Sequence, residues 1–315
     1  MALKRLNYIL KRLSQMIPVL FVITVVVFML IHFIPGDPAR LMLGDRASLA
    51  SVEALREKLG LNESLAVQYG IFMGNLFRFD LGTSIKYHQP VMDLLVKRLS
   101  MTVSLTLLAC LFAAVFSLPL GYMAAANKDK LPDQVIRGGA LIALSVPTFW
   151  IALLLLILFA LKLKIFPIGG WGTTPLEHLR GLVLPAFTLS LATSALIMRN
   201  ARNSIVDISR SDFVDFARSK GIPNNTVRMR HIIRNGLVSS VTLLSMQVAA
   251  MIGGSAITET VFNLPGIGKL MVESIFGRDY PVVQGTLLVT SFLIMMVNLI
   301  TDILYSALDP RVTLE

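Results

Sequence analysis

Six runs of apolar residues divide the chain, at about 16–34, 100–126, 135–160, 182–203, 237–258 and 282–307. A helix needs about 20 such residues to cross a hydrocarbon layer roughly 30 Å thick, and each run reaches or approaches that length. The pattern predicts an all-α polytopic membrane protein with six transmembrane helices. Pro119, Pro147 and Pro185 fall inside or near the ends of these runs. Neighbouring helices can satisfy the carbonyls a proline frees, so all three are expected within spans. The first run, Met16–Ile34, exceeds the roughly 7–15 apolar residues of a signal peptide and is followed by no small-x-small cleavage site. It is therefore expected to be an uncleaved span. The chain then reads as four segments: a flank and first span at 1–34, a helical extracytoplasmic subdomain at 35–99, a five-helix core at 100–310 and a short tail at 311–315. Within 35–99, "SVEALREKLG" predicts a helix capped by Ser51 and ended by Gly60. Leu65, Tyr69, Phe72 and Leu76 share one face of a second helix.

Composition agrees with the pattern: 55% of the 315 residues are hydrophobic and only 15% are charged, against about a quarter in soluble domains. The net charge of +10 fits loop asymmetry better than nucleic-acid binding, because no recognition module accompanies it. Lys4, Arg5, Lys11, Arg12, Lys128, Lys130, Arg137 and Arg311 fall on one side, with the eight basic residues of 199–235. The two short loops of the opposite side hold Lys162, Lys164, Arg180, Lys269 and Arg278. Positive charge accumulates on the cytoplasmic side, so both termini and the 199–235 stretch are expected there.

Several chemistries find no support. Cys110 is the single cysteine and allows no intrachain disulfide. His32, His88, His178 and His231 are scattered, without metal-ligand spacing. "GGSAI" at 253–257 is not a nucleophile elbow. "LPGIGKL" at 264–270 is preceded by Asn263 and ends in Leu270, where a phosphate-binding loop needs Gly and Ser or Thr, so the chain carries no visible means of hydrolysing a nucleotide.

The most informative polar stretch is "SDFVDFARSKGIPNNTVRMRHIIRNG", residues 211–236, between the fourth and fifth spans. Ser211 or Asp212 caps a short helix running to about Lys220, on which Phe213, Phe216 and Ala217 recur on one apolar face. Asp215 and Arg218 are spaced to pair. Gly221 suits a left-handed helix end, Pro223 bars continuation, and Asn224, Asn225 or Thr226 caps the next helix, which runs into the fifth span. Two phenylalanines on a short cytoplasmic helix need cover, from the headgroup layer or from a groove in a partner protein.

This passage resembles the coupling motif of ABC-importer permeases, E-A-A-x-x-x-G followed by I-x-L-P. Asp215, Phe216 and Ala217 stand in the first three positions and Gly221 in the glycine position. The second half departs: "HIIRNG" instead is similar to the H-x-L-R-N-A of the dipeptide/oligopeptide branch. "HFIPGDPARL" at 32–41, "ETVFNLPGIGKL" at 259–270, "RDYPVVQG" at 278–285 and "ALDPR" at 307–311 also resemble that branch, with Leu264 where it usually has Trp. The resemblance implies a first-permease subunit with a type I, MetI-like fold in the bacterial inner membrane. It implies no cofactor in this chain and no enzyme activity of its own, ATP-Mg being bound by two cytoplasmic ATPase partners. A second related permease and an extracytoplasmic solute-binding protein complete the implied assembly. Substrates of the branch are di- and oligopeptides, glutathione and nickel chelates, selected mainly by the binding protein. The ATPase-coupling residues implied are Asp212, Phe213, Asp215, Phe216, Ala217, Gly221, His231, Arg234 and Asn235.

Gln247, Asn298 and Asp302 are polar positions within spans and are candidates for a translocation pathway, packing against a neighbouring helix being the alternative. A secondary transporter would show inverted repeats and midplane carboxylates, of which only Asp302 qualifies. The scattered histidines and the missing nucleophile motif disfavour a membrane-embedded enzyme.

Overall fold

The computed structural model describes residues 2–33, 38–43, 47–58 and 60–308; the expected tail at 311–315 and positions 34–37 of the 32–41 motif lie outside them. The elements are helical: α1 (Ala2–Phe33), α2 (Pro38–Leu43), α3 (Leu49–Lys58), α4 (Leu65–Phe77), α5 (Val91–Ala126), α6 (Leu131–Ser145), α7 (Thr148–Lys162), α8 (Pro175–Ser209), α9 (Asp212–Ser219), α10 (Asn224–Val261), α11 (Ile267–Phe276) and α12 (Tyr280–Leu308). Among the described residues five helices are long and apolar enough to span a membrane, and six spans result when α6 and α7 are taken as one.

The third span is where structure departs from sequence. It is bent by 106° between α6 and α7. Val146 and Pro147 both adopt extended backbone, with ψ of 131° each. Proline disfavours helical geometry at the residue before it and cannot donate to the preceding turn. Pro119 and Pro185 instead lie within continuous helices, as expected.

The chain divides into two compact units, residues 1–100 with 265–315, and residues 101–264. In the first, α4 packs on α1. Tyr69 lies 5.4 Å from the Phe28 ring and its hydroxyl is 2.8 Å from Thr24 Oγ1, while Phe72 lies 5.8 Å from Phe28. This is the aromatic face that the spacing of Tyr69 and Phe72 predicted. Ser48, not Ser51, starts α3: Ser48 Oγ accepts from the Ser51 amide at 3.1 Å. Gly60 does take the left-handed conformation, with φ of 67°. A second apolar cluster joins Val91, Leu94 and Leu95 of α5 to Ile267, Leu270 and Val282. Beside it Asp279, fully buried, accepts from Ser84 Oγ (2.5 Å) and from the amides of Ile85 (3.2 Å) and Lys86 (3.1 Å). One carboxyl so closes a loop 195 residues away in sequence.

The second unit is built on the small-residue face of α5. Ala109, Ala113 and Ser117 recur every fourth residue and are fully buried, while Leu107, Leu111 and Val115 on another face are exposed. An apolar exterior is stable only against lipid, and the small inner residues let helices approach closely. Packed against that inner face are Leu182, Leu184, Leu189 and Ile197 of α8 and Met251 of α10. Buried Glu259 accepts from Thr102 Oγ1 (2.8 Å) and Ser255 Oγ (3.0 Å), which ties α10 to α5.

Candidate functional site

Two residues beyond the end of α8, Ser211 adopts extended backbone (φ −81°, ψ 146°), and α9 begins. Its hydroxyl turns back to Ile208 O (2.6 Å) rather than capping, so the new helix is started by its carbonyl, which accepts from Val214 N at 2.9 Å. Asp212 and Asp215 occupy the first turn, where the helix dipole favours negative charge, and Arg218 the last. Arg218 and Asp215 approach to 3.3 Å as expected, but both are exposed, so the pair contributes little to stability.

The helix carries two apolar faces rather than the single one expected. Val214 and Ala217 are buried against Ile205 of α8 and Val227 and Ile232 of α10, with Tyr122 and Ala125 of α5 packed around them. Phe213 and Phe216 point away, 46% and 61% exposed. Grouping Ala217 with the phenylalanines is thereby corrected: it belongs to the anchoring face. Residues three apart on a helix share a face, and 213/216 and 214/217 are two such pairs, displaced by one residue. Lys220 Nζ lies 4.5 Å from the Phe216 ring centroid, within cation–π range.

Gly221 ends α9 with φ of 76°, its amide bonding to Arg218 O at 2.9 Å, and Pro223 precedes α10. The first turns of α10 widen into a π-helical stretch, Val227–Ile233, which contains His231. Asn235 Nδ2 donates to His231 O at 2.7 Å, and Arg234 is exposed beside it. Asp212, Phe213, Asp215 and Phe216 are thus gathered on the outer side of α9, and His231, Arg234 and Asn235 on the helix after it. A Cβ at Gly236 would lie 2.7 Å from Ile205 Cγ1, so glycine there permits α10 to cross close to α8.

Spacing did not reveal a pair just beyond this cluster. Asp133, fully buried at the start of α6, accepts a forked contact from Arg202 of α8, Nη2 at 2.6 Å and Nε at 2.9 Å. The same carboxylate accepts from the Asp129 amide at 2.9 Å, closing the loop between α5 and α6. The two residues are 69 positions apart in sequence, beyond the reach of any local spacing rule.

The three candidate pathway residues fall in different units of the chain. Gln247 is half-buried on α10 in the second unit, and Asn298 is exposed on α12 in the first. Asp302 lies 3.3 Å from Arg12 of α1, a helix-to-helix ion pair. Among the described residues no group of three His, Cys, Asp or Glu side chains is arranged to hold a metal.

Comparison with known proteins gives these elements a context. The family described as Binding-protein-dependent transport system inner membrane component matches residues 117–314, and the family of its N-terminal part matches residues 5–106. A putative peptide transport system permease protein of Brucella suis is 42% identical over 96% of this chain and 98% of its own length. The glutathione transport system permease protein GsiC of Escherichia coli K12 is 36% identical over 98% of this chain and 99% of its own. In fold, the chain is similar to the methionine ABC transporter MetNI solved in inward-facing conformations (TM-score 0.58, 16% identity, 69% of this chain and 97% of that one). An amino acid ABC transporter crystallised with histidines is similar too (TM-score 0.53, 16% identity, 69% and 94%). With family matches spanning most of its length and relatives aligned almost end to end, the chain belongs to the inner membrane components of binding-protein-dependent transport systems and is a permease with the ABC-importer fold.

Proposed function

We propose that this permease carries di- or oligopeptides, or a related small solute such as glutathione, delivered by an extracytoplasmic binding protein, and that α9 is where ATP energy enters. The observation that carries the second half is the two-sided character of α9. Its inner face is held in an apolar cluster with α5, α8 and α10, while two aromatic rings remain on the outer face of an eight-residue helix. Such a helix is a rigid knob: load applied to Phe213 and Phe216 reaches three long helices through Val214 and Ala217. The partners of this reading are two cytoplasmic ATPases that bind ATP-Mg, a second related permease and the binding protein. The positive-residue asymmetry of the loops supports cytoplasmic termini and a cytoplasmic α9, which puts the helical 35–99 segment outside. The substrate class rests on the peptide and glutathione permeases to which the chain is similar.

The test is uptake of radiolabelled tripeptide and of glutathione into proteoliposomes holding the assembled complex and its binding protein. Uptake should require ATP inside the compartment facing α9 and be insensitive to collapse of proton and sodium gradients. Uptake that follows an ion gradient without ATP would overturn the reading.

A further inference from the structure

We infer that the Asp133–Arg202 pair is a positioning strut that makes α6 move as one body with α8 and the coupling helix. This rests on the proposed role of α9 and extends it to the bent third span.

Arg202 lies two turns before the end of α8, in the stretch leading directly to α9. Ile205, one turn further, belongs to the cluster that holds Val214 and Ala217. A displacement of α9 therefore reaches the Arg202 turn through α8 itself and through this packing. Helix α5 is held there already: a Cβ at Gly121 would lie 2.7 Å from that of Ala201, and Tyr122 and Ala125 border the α9 cluster. Helix α6 has no residue in that cluster. Its polar link to α8 at this end is Asp133, whose two oxygens take the Arg202 fork while one also accepts from Asp129 N.

The chemistry suits a strut rather than a simple clamp for stability. Removing a carboxylate and a guanidinium from water carries a desolvation penalty, and an apolar pair of similar volume usually stabilises a fold as well or better. A planar fork adds directional rigidity that apolar packing lacks, since both N–H···O contacts must be kept aligned. Here the rigidity lies at the base of α6, whose far end is the bend at Val146 and Pro147. Rotation of α8 driven from α9 would swing α6 about that bend, instead of letting α8 slide past it.

The test uses the assembled importer in nanodiscs, with Cys110→Ser and nitroxides at Ile142→Cys on α6 and Leu179→Cys on α8, both exposed positions. Distance distributions are measured by pulsed electron paramagnetic resonance at rest and after trapping with ATP and vanadate. With Asp133 and Arg202 intact, the two states should give the same distribution, because α6 follows α8. In Asp133→Asn with Arg202→Met, which leaves no orphan charge, the resting distribution should be kept and the trapped one should shift. A role in folding alone would not produce a nucleotide-dependent shift. Identical distributions in both states of the double variant overturn the proposal. Failure of the double variant to assemble does so too, by assigning the pair to folding. A coupling role for α9 is judged separately, by whether Phe216→Ala sheds the ATPases. The double variant should retain them in full, so either reading can fail alone.

Discussion

Replacing Phe216 by alanine separates the outer face of α9 from the inner. The ring is 61% exposed in the isolated chain. Aromatic side chains offer about 150–250 Å², so a partner cleft that covers the exposed part removes about 120 Å² from water. At about 25 cal/mol per Å² that is about 3 kcal/mol. Ordering of side chains at the interface offsets part of it, leaving about 2 kcal/mol, or roughly a thirtyfold loss of ATPase affinity. The cation–π contact with Lys220, at 4.5 Å, is lost in the same variant. Because the ring contributes nothing to the inner cluster, the permease itself should insert and melt as the parent does. Gly221→Val reaches a related outcome by another route. No atom lies within 4 Å of a Cβ placed there, so its effect is backbone strain at φ of 76°, which misaims the helix and keeps both rings. The assay is co-purification of the ATPases at matched membrane expression, with titration of detergent-solubilised ATPase onto immobilised permease. Undiminished retention in both variants would refute the coupling role. Wild-type retention in Phe216→Trp together with loss in Phe216→Ala would confirm that a ring, rather than lipid contact, carries the affinity.

Two further outcomes test other parts of the structure. In Asp279→Asn the amide nitrogen must face donors, leaving a buried group unsatisfied at a cost of about 1–3 kcal/mol. Exchange of the Ile85 and Lys86 amides, both bonded to Asp279, should accelerate roughly tenfold or more by mass spectrometry, and unchanged protection would refute the latch. For topology, in a Cys110→Ser background, single cysteines at Glu57 and Lys220 should label from opposite faces of intact cells, Glu57 from outside. Labelling of both from one face would overturn the orientation.

The apolar runs alone determined the fold class, because hydrocarbon thickness leaves few ways to accommodate six segments of such length. The position of α9 was legible as well: Gly221 and Pro223 end a helix for local steric reasons that need no tertiary context. What local rules could not decide is which way a short helix faces when both of its sides are apolar. Val214 with Ala217 and Phe213 with Phe216 repeat at the same spacing, and only the cluster with Ile205, Val227 and Ile232 selects the first pair as the anchor. Nor could periodicity distinguish Pro147 from Pro119 and Pro185. A proline can be carried within a helix where neighbouring groups compensate for its missing bond, and at Val146–Pro147 the backbone instead turns through two extended residues. The polar latches were the least visible of all. Asp133 with Arg202 and Asp279 with Ser84 are separated by 69 and 195 residues, so their pairing is a property of helices brought together in space. Burying an acidic side chain is tolerable only where distant donors converge on it, and convergence of that kind is decided by the tertiary structure.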